Sequence, residues 1–491
     1  MEFISGESRN QTVLLPDSVE DYVDSNNAVR VIDAYIDSLC LQELGFMHTE
    51  PCDTGRPPYD PRELLKLYVY GYMNRVRSSR RLETETKRNL EVIWLLRRLS
   101  PDHKTIARFR HDNPRALKNV FHDFVRLCVR EDLYGRELIA IDGSKFKAVN
   151  SKDRNFTREK LAERIKRIDA RIEEYLNELD SGDVKENTGG GEKSAQELKG
   201  IISRLSERRQ QYQEYTEELQ RTGETQKSLT DPDSRLMQSN GKMDVCYNVQ
   251  TAVDAKNKMI VDFEVTNKAN DSNQITPMAL GAKEALKTDT IAAVTDAGYD
   301  SARDIAMATS QGIEVHVAGT NYDICVPTDD GDGGEITSHH NGKCVYNTER
   351  NIAICPMGKV LYPGYYKKGR GHGVFLNRKA CKECTCRCTK EVRGFRCQVA
   401  MAEADFSKEY DDKNLFVKQM RVKADKGITK RRKSIAEHPF GTIKRAMDAG
   451  YCLTKGLRGV SGEFSLVFLA YNIKRAINIL GVKKLMESMA I

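Results

Sequence analysis

The sequence predicts an α/β protein in which helices pack on a mixed sheet, with a helical N-terminal region and two insertions. Three observations predict this class. Segments typical of strands and helices follow the order strand, hairpin, helix, strand, helix, strand. A run with apolar residues at alternating spacings of three and four interrupts them, and a cysteine-rich stretch follows them. At 491 residues, the chain is also too long for one compact core.

Residues 1–135 are predicted to be a helical N-terminal domain that binds DNA. Apolar residues recur at helical spacing in "AVRVIDAYIDSLCLQELGF" and in "PRELLKLYVYGYMNRVRSS", where Pro61 marks a helix entrance. Basic helix starts in "SRR" and "KTIARFR" are compatible with a helix-turn-helix reader of DNA. A helical cap or dimer module without a DNA role is the alternative.

Residues 136–491 are predicted to be the α/β domain. "RELIAIDGSKFKA" is an apolar run that leads to Asp142, "YNVQTAVDAKNKMIVDFEVTN" is typical of a two-stranded hairpin, and "TIAAVTDAGYDS" is a second buried strand that ends at Asp296. Helices fit the segments between them. This order is the pattern of a ribonuclease-H-like core.

The first insertion is predicted at residues 156–226. Leu161, Ile165, Ile168 and Ile172 advance by helical steps, and a second run of this kind follows the polar turn "DSGDVKENTGGGEKS". We interpret the segment as an antiparallel helical hairpin. It is either an oligomerisation arm or a spacer.

The second insertion is predicted at residues 320–430 and carries clustered cysteines. "CPMG" and "CKECTCRC" place a Cys-x₂-Cys pair near further thiols, which is a zinc signature. An iron–sulfur cluster or free thiols are the other interpretations. The preferred ligands of a structural Zn²⁺ are Cys355, Cys381, Cys384 and Cys388.

Positive charge is concentrated in one short segment. The whole chain has a net charge of +7, and residues 420–445 alone hold nine Lys or Arg against two acids, Asp425 and Glu437. Such a density indicates an anionic partner, most commonly nucleic acid, although a solvated face is the usual alternative. No signal-peptide pattern and no membrane-length apolar run is present, so we expect an intracellular protein with reduced thiols and no membrane partner.

Three acids are candidate catalytic residues. Asp142 and Asp296 each follow a central strand and precede a small residue that leaves room for a metal, and Glu437 lies on the late basic helix. Their oxygens suit two Mg²⁺ or Mn²⁺ ions for in-line displacement at phosphorus. Asp142 could instead be a turn former, Asp300 is a rival to Asp296, and Glu437 could be an ordinary helical acid. Lys444, seven residues after Glu437, is expected to share its helix face.

The motifs together resemble the DDE transposases of bacterial insertion sequences that join an InsH-like helical N-terminal domain to a DDE domain. The resemblance rests on "GRPPYDPRELLKLYVYGYMNRVRSS" and "PDHKTIARFRHDN" in the first domain. In the second it rests on "AIDGSKFKA", "LTDPDSRLMQ", "YNVQTAVD", "TDAGYDS" and "EHPFGTIKR". It implies that Asp142, Asp296 and Glu437 are the catalytic, metal-binding triad.

The resemblance also implies DNA contacts around Glu437. Related proteins often have Arg four residues before the glutamate and Tyr three before that, where this chain has Lys433 and Lys430. Arg432 could replace the missing arginine. The expected DNA-binding residues are Lys430, Arg431, Arg432, Lys433, Lys444 and Arg445.

We therefore expect a transposase that binds the terminal inverted repeats of its insertion sequence and catalyses metal-dependent strand cleavage and strand transfer. The alternatives are a plain metal-dependent nuclease and a transposase-derived DNA-binding protein without strand transfer. The expected partner is double-stranded DNA, from element ends and target, bound by a homo-oligomer. The expected location is the bacterial cytoplasm, in association with the nucleoid.

Overall fold

The structure of the chain is a computed structural model. Among the residues that it describes, no helix is both long enough and apolar enough to cross a membrane. The described residues are 18–50, 58–182, 195–239, 241–319, 321–328, 338–341, 344–347, 350–355, 357–384, 396–411 and 416–489.

Short helices with clear start signals form the N-terminal region. Asp60 Oδ1 accepts a hydrogen bond from the backbone N–H of Arg62 at 2.8 Å, and Pro61 occupies the first helical position. Asp102 likewise accepts from Lys104 N at 2.8 Å. The helices are α1 (Ala28–Asp37), α2 (Pro61–Met73), α3 (Ser79–Arg88), α4 (Leu90–Leu95), α5 (His103–Asp112) and α6 (Pro114–Arg130).

A helical hairpin follows the first strand. The elements are β1 (Leu138–Lys147), β2 (Asn155–Thr157), α7 (Arg158–Gly182), α8 (Ala195–Thr222) and β3 (Gln226–Ser228). Antiparallel pairing of β2 with β3 closes the base of the hairpin. Ile165, Ile168 and Ile172 pack in one apolar cluster with Leu205 and Tyr212 of α8. The predicted stripe is therefore covered within one chain, which favours the spacer interpretation over an oligomerisation arm.

The central sheet is mixed, which confirms the predicted α/β class. Its strands besides β1 are β4 (Arg235–Ser239), β5 (Lys242–Asp254), β6 (Ile260–Thr266), β7 (Ile291–Thr295) and β8 (Ile313–Val317). The strand β5 pairs antiparallel with β1, β4 and β6, whereas β7 lies parallel to both β1 and β8. Two helices connect these strands, α9 (Ile275–Leu286) and α10 (Ala302–Ser310).

The cysteine-bearing insertion leaves and re-enters the sheet domain through an antiparallel ribbon of β9 (Asn321–Thr328) and β16 (Phe416–Lys423). Between these two strands lies a second sheet, in which successive strands are neighbours. Its elements are β10 (Ser338–Asn341), β11 (Cys344–Asn347), β12 (Ile352–Ile354), β13 (Val360–Lys367), β14 (His372–Leu376), α11 (Arg378–Lys382), β15 (Arg396–Ala400) and α12 (Glu403–Phe406).

The C-terminal helices join the helical region to the sheet. They are α13 (Lys426–Gly441), a π turn (Thr442–Ala446), α14 (Gly456–Leu480) and α15 (Val482–Glu487). The largely buried α14 contacts α2, α5, α6 and β6. One hydrophobic core therefore runs from the N-terminal helices through the sheet to α15, and the predicted boundary at residue 135 lies inside it.

Candidate active site on two parallel strands

Strand pairing brings Asp142 and Asp296 together. Leu138 of β1 pairs with Ala292 of β7 and Ala140 with Val294, so the next positions on the same face are the two aspartates. We expected Asp142 at the end of a strand. It lies within β1 instead, because antiparallel pairing with β5 continues to Lys147, well past the end of β7.

Asp142 is a half-buried acid among opposing charges. Its Oδ1 accepts from Gly143 N at 2.9 Å, and Arg432 Nη1 lies 3.5 Å from its Oδ2. The pKa of Asp142 is raised to about 6, first of all by burial. The negative charges of Asp296 and Asp271 add to this rise, whereas Arg432 and the Gly143 N–H oppose it. Ionised carboxylates that share this space repel one another, and a bound cation would relieve the repulsion.

Asp296 has a defined orientation at the start of a tight turn. Its side chain caps the short 3₁₀ helix Ala297–Tyr299 by accepting from Gly298 N at 2.9 Å. Its rival Asp300 is exposed after this turn. The acids whose charges raise the pKa of Asp142 include Asp296 and Asp271.

Glu437 is not in contact with the aspartate pair. It is exposed on the outer side of α13, where it lines a groove with Lys430, Lys433 and Arg445. The described part of the chain offers Glu437 no hydrogen bond or ion pair. The inner side of α13 is apolar, with Ile435 and Phe440 buried, and the residue of this helix that reaches Asp142 is Arg432.

Lys444 faces inward, contrary to the expectation that it shares a face with Glu437. Its Nζ donates to Ser144 Oγ at 2.6 Å and lies 4.5 Å from the centre of the Phe146 ring. The helix changes to a π turn after Gly441, which alters the angular spacing assumed for seven α-helical residues. Burial lowers the pKa of Lys444, and the charge of Asp142 partly offsets this.

The other expected DNA-binding cations lie at the surface of the same helix. Arg432 is half-buried beside Asp142. The exposed ones are Lys430, Arg431, Lys433 and Arg445. The segment therefore presents positive charge to solvent on the side that carries Glu437.

Sequence reasoning missed Asp271, which lies in "NKANDSNQ" between β6 and α9. Its Oδ1 accepts from Asn248 Nδ2 and Gln250 Nε2, both at 2.7 Å, and from Lys145 Nζ at 3.1 Å. The absence of a side chain at Gly143 makes room for the partners of Asp271, because a Cβ there would lie 2.3 Å from Gln250 Nε2. An acid in a polar loop between a strand and a helix was the available signal.

Five cysteines of the second insertion form two groups. Cys344 and Cys397 form a disulfide, so the expectation of reduced thiols is wrong for this pair. Burial raises the pKa of Cys355, and the neighbouring Cys381 and Cys384 raise it further. The fourth preferred ligand, Cys388, lies outside the described residues.

Among the described residues, neither the aspartate pair nor the cysteines of the insertion form a complete set of metal ligands. Within the described ranges, no group of three or more His, Cys, Asp or Glu side chains is arranged to hold a metal ion. At the sheet, two acids meet on adjacent strands and the third candidate, Glu437, is turned away.

A mixed sheet with two aspartates on adjacent parallel strands beside a basic helix places the chain among the α/β proteins with paired acids on their central strands. Comparison with family models assigns the chain more closely. The model described as Transposase domain (DUF772) matches residues 17–112, and that described as Transposase DDE domain matches residues 133–473, well over half of the chain. The chain belongs to the DDE transposases, which confirms the resemblance found in its motifs. Neither curated proteins nor solved structures give a match.

Proposed function

We propose that the protein binds the terminal inverted repeats of its insertion sequence, cleaves a strand to expose a 3′-hydroxyl, and transfers that end to target DNA. The observation that carries the proposal is the meeting of Asp142 and Asp296 on adjacent parallel strands within the matched DDE domain. The strand order β6, β5, β1, β7, β8, with antiparallel pairs followed by parallel ones, supports a ribonuclease-H-like core.

Divalent cations fit the aspartate pair. Carboxylate oxygens are the ligands that Mg²⁺ and Mn²⁺ prefer. Burial first, and then the charges of Asp296 and Asp271, raise the pKa of Asp142, and a bound cation would stabilise its ionised form. Two such ions, when bound, would activate the attacking oxygen and stabilise the leaving one. Asp142 and Asp296 would hold them, each oriented by a backbone N–H donor.

Glu437 is proposed as the third acid. Because α13 packs against β1 and β7, a rotation of this side chain or helix on binding DNA would bring the carboxylate towards the pair. The exposed cations Lys430, Lys433 and Arg445 beside it would bind the phosphates next to the cleaved bond. Lys444 would place positive charge beside the strand that carries Asp142.

The helical region of residues 1–135 is proposed to contribute to DNA binding. Arg80 and Arg81 are exposed near the start of α3, and Lys104 is exposed near the start of α5, which packs on α3. We expect a homo-oligomer to hold paired element ends, at the nucleoid in the bacterial cytoplasm. The charge and exposure of these residues support the DNA contact.

A cleavage and joining assay tests this function. Purified protein is incubated with Mg²⁺, a plasmid, and a labelled duplex fragment that carries the DNA flanking its coding sequence. A 3′-hydroxyl at the element end and its joining to the plasmid are expected. Cleavage without joining would indicate a plain nuclease, and binding without cleavage would indicate a DNA-binding protein.

Glu437→Gln is expected to retain binding to the end fragment and to reduce nicking by orders of magnitude. Glutamine keeps the shape of the side chain but removes the charge that would bind the cation. Lys433→Ala is the matched comparison, since removal of an exposed cation from the same groove should weaken DNA binding and make the salt dependence of that binding slightly shallower. Parental nicking by Glu437→Gln would remove this acid from the active site.

A structural zinc ion is proposed for Cys355, Cys381, Cys384 and Cys388. Cys381 and Cys384 lie near enough to Cys355 to raise its pKa, in addition to burial, and Lys359 N donates to Cys355 Sγ at 3.3 Å. We expect about one zinc per chain in anaerobically purified protein, and loss of it with a destabilised insertion in Cys381→Ser/Cys384→Ser. Metal analysis without zinc would contradict this, and iron would indicate a cluster.

A further inference from the structure

Asp271 lies at the centre of a polar cluster behind the strand that carries Asp142. Three donors saturate its Oδ1: the side-chain nitrogens of Lys145, Asn248 and Gln250, at 3.1, 2.7 and 2.7 Å. Its Oδ2 lies 3.3 Å from Lys145 Nζ. Asp271 therefore has one cation and two amides as partners, and these groups compensate its negative charge within the protein.

The cluster lies directly against the backbone next to Asp142. A Cβ at Gly143 would be 2.3 Å from Gln250 Nε2, 2.7 Å from Asp271 Oδ1 and 3.0 Å from Asn248 Oδ1. At these distances a side chain at position 143 would displace the ends of the cluster's side chains, and glycine fits there without such a shift. A displacement of the cluster is therefore expected to shift the backbone next to Asp142.

The same cluster reaches the turn that carries Asp296. Tyr299 is fully buried three residues after Asp296, and its hydroxyl donates to Gln250 Oε1. The Gln250 amide thus accepts from Tyr299 and donates to Asp271, which fixes its orientation. Burial raises the pKa of Tyr299, and the charge of Asp271 raises it further, so the hydroxyl stays protonated and able to donate.

We propose that Asp271 is a positioning residue that sets the geometry between Asp142 and Asp296. It acts through two connections, the contact with Gly143 and the chain Gln250–Tyr299. The proposal rests on the proposed function, because the distance and angle between the two acids matter when they hold cations together. Groups that orient metal ligands typically affect metal affinity or activity by about 10- to 100-fold.

The test measures Mn²⁺ binding to DNA-free protein by electron paramagnetic resonance, with thermal stability and nicking of the end fragment measured beside it. Tyr299→Phe removes only the hydroxyl, and Asp271→Asn removes only the charge. Both variants are expected to bind Mn²⁺ about 10- to 100-fold more weakly while binding end DNA like the parent. Asp262→Asn is the matched control, because Asp262 is a half-buried acid of the same sheet that is paired with His122. It should keep parental affinity.

Parental Mn²⁺ affinity and nicking in both Tyr299→Phe and Asp271→Asn would overturn the proposal. So would complete loss of binding in Asp271→Asn with parental binding in Tyr299→Phe, because Asp271 would then be a ligand. If Asp271→Asn does not fold, the Mn²⁺ affinity and the nicking rate of Tyr299→Phe alone test the proposal. If the parent binds Mn²⁺ and Asp142→Asn does not, the proposed metal site is present. Parental Mn²⁺ affinity in Tyr299→Phe and Asp271→Asn then contradicts the role of Asp271 and not the proposed function. If the DNA-free parent does not bind Mn²⁺, the nicking rates of Tyr299→Phe and Asp271→Asn decide the proposal for Asp271, and parental rates in both overturn it. A parent that neither binds Mn²⁺ nor nicks end DNA removes the proposed function as well.

Discussion

Asp142→Asn is expected to reduce Mg²⁺-dependent cleavage of end DNA by at least about a thousandfold, as loss of a central catalytic group commonly does. Asparagine has nearly the shape of aspartate, so folding and DNA binding should persist. What it lacks is the charge that would attract the cations. Nicking rates of the parent and the variant, compared at equal occupancy of the labelled fragment, test this expectation.

The same substitution should stabilise the metal-free protein. The pKa of Asp142 is raised to about 6 in the folded state. At pH 8 the ionised, half-buried carboxylate therefore lowers the free energy of unfolding. A shift of about two units corresponds to at most about 3 kcal/mol. This cost is fully present above about pH 6 and disappears as the pH falls towards about 4, because the folded protein takes up the proton first.

Thermal unfolding in chelator measures the effect. Asp142→Asn should unfold at a higher temperature than the parent at pH 8, and the difference should vanish near pH 4. Added Mg²⁺ should also reduce it, since a bound cation stabilises the ionised parent. A variant that is less stable than the parent at pH 8 would show that Asp142 serves the fold rather than catalysis.

Arg77→Met is expected to destabilise the protein by about 3 to 5 kcal/mol, because it leaves a buried carboxylate without its cation. Arg77 Nη2 lies 2.7 Å from Glu463 Oε1, and the two side chains are only 5% and 1% exposed. Nη1 also donates to the carbonyl oxygen of Asp448 at 2.6 Å. The arginine thus joins the loop after α2 to both α14 and the segment that follows the π turn.

Denaturant unfolding tests the prediction, with Arg81→Ala at an exposed position of α3 as the control. The N-terminal helices and the central sheet of the parent are expected to unfold in one cooperative transition, because they share one core. A parental free energy of unfolding in Arg77→Met would contradict the account of this ion pair. Separate unfolding of the N-terminal helices and the central sheet would contradict the shared core.

Local sequence patterns predicted the sheet class and its two central acids. Buried strands leave an apolar run that ends at a polar residue, as in "LIAID" and "IAAVTD", and parallel pairing then brings such residues together. The helical hairpin was also predicted from a local pattern, since its apolar spacing repeats over many residues.

Contacts between segments that are far apart in the sequence could not be predicted from local patterns. Asp271 reaches Gln250 and Lys145 only after the loop beyond β6 folds back over the sheet. The π turn after Gly441 has no simple pattern, so the direction of Lys444 was predicted wrongly. Pairing of Cys344 with Cys397 joins residues 53 positions apart, and spacing alone cannot select it from 13 cysteines.

The central claim is that Asp142 and Asp296 are the acids on the sheet at which DNA is cleaved. Mg²⁺-dependent nicking of the labelled end fragment by Asp296→Asn and Asp300→Asn tests it most directly, because these acids are four residues apart on one turn. The account predicts no nicking by Asp296→Asn and parental nicking by Asp300→Asn, with equal DNA binding. Parental nicking by Asp296→Asn, or its loss only in Asp300→Asn, would contradict it.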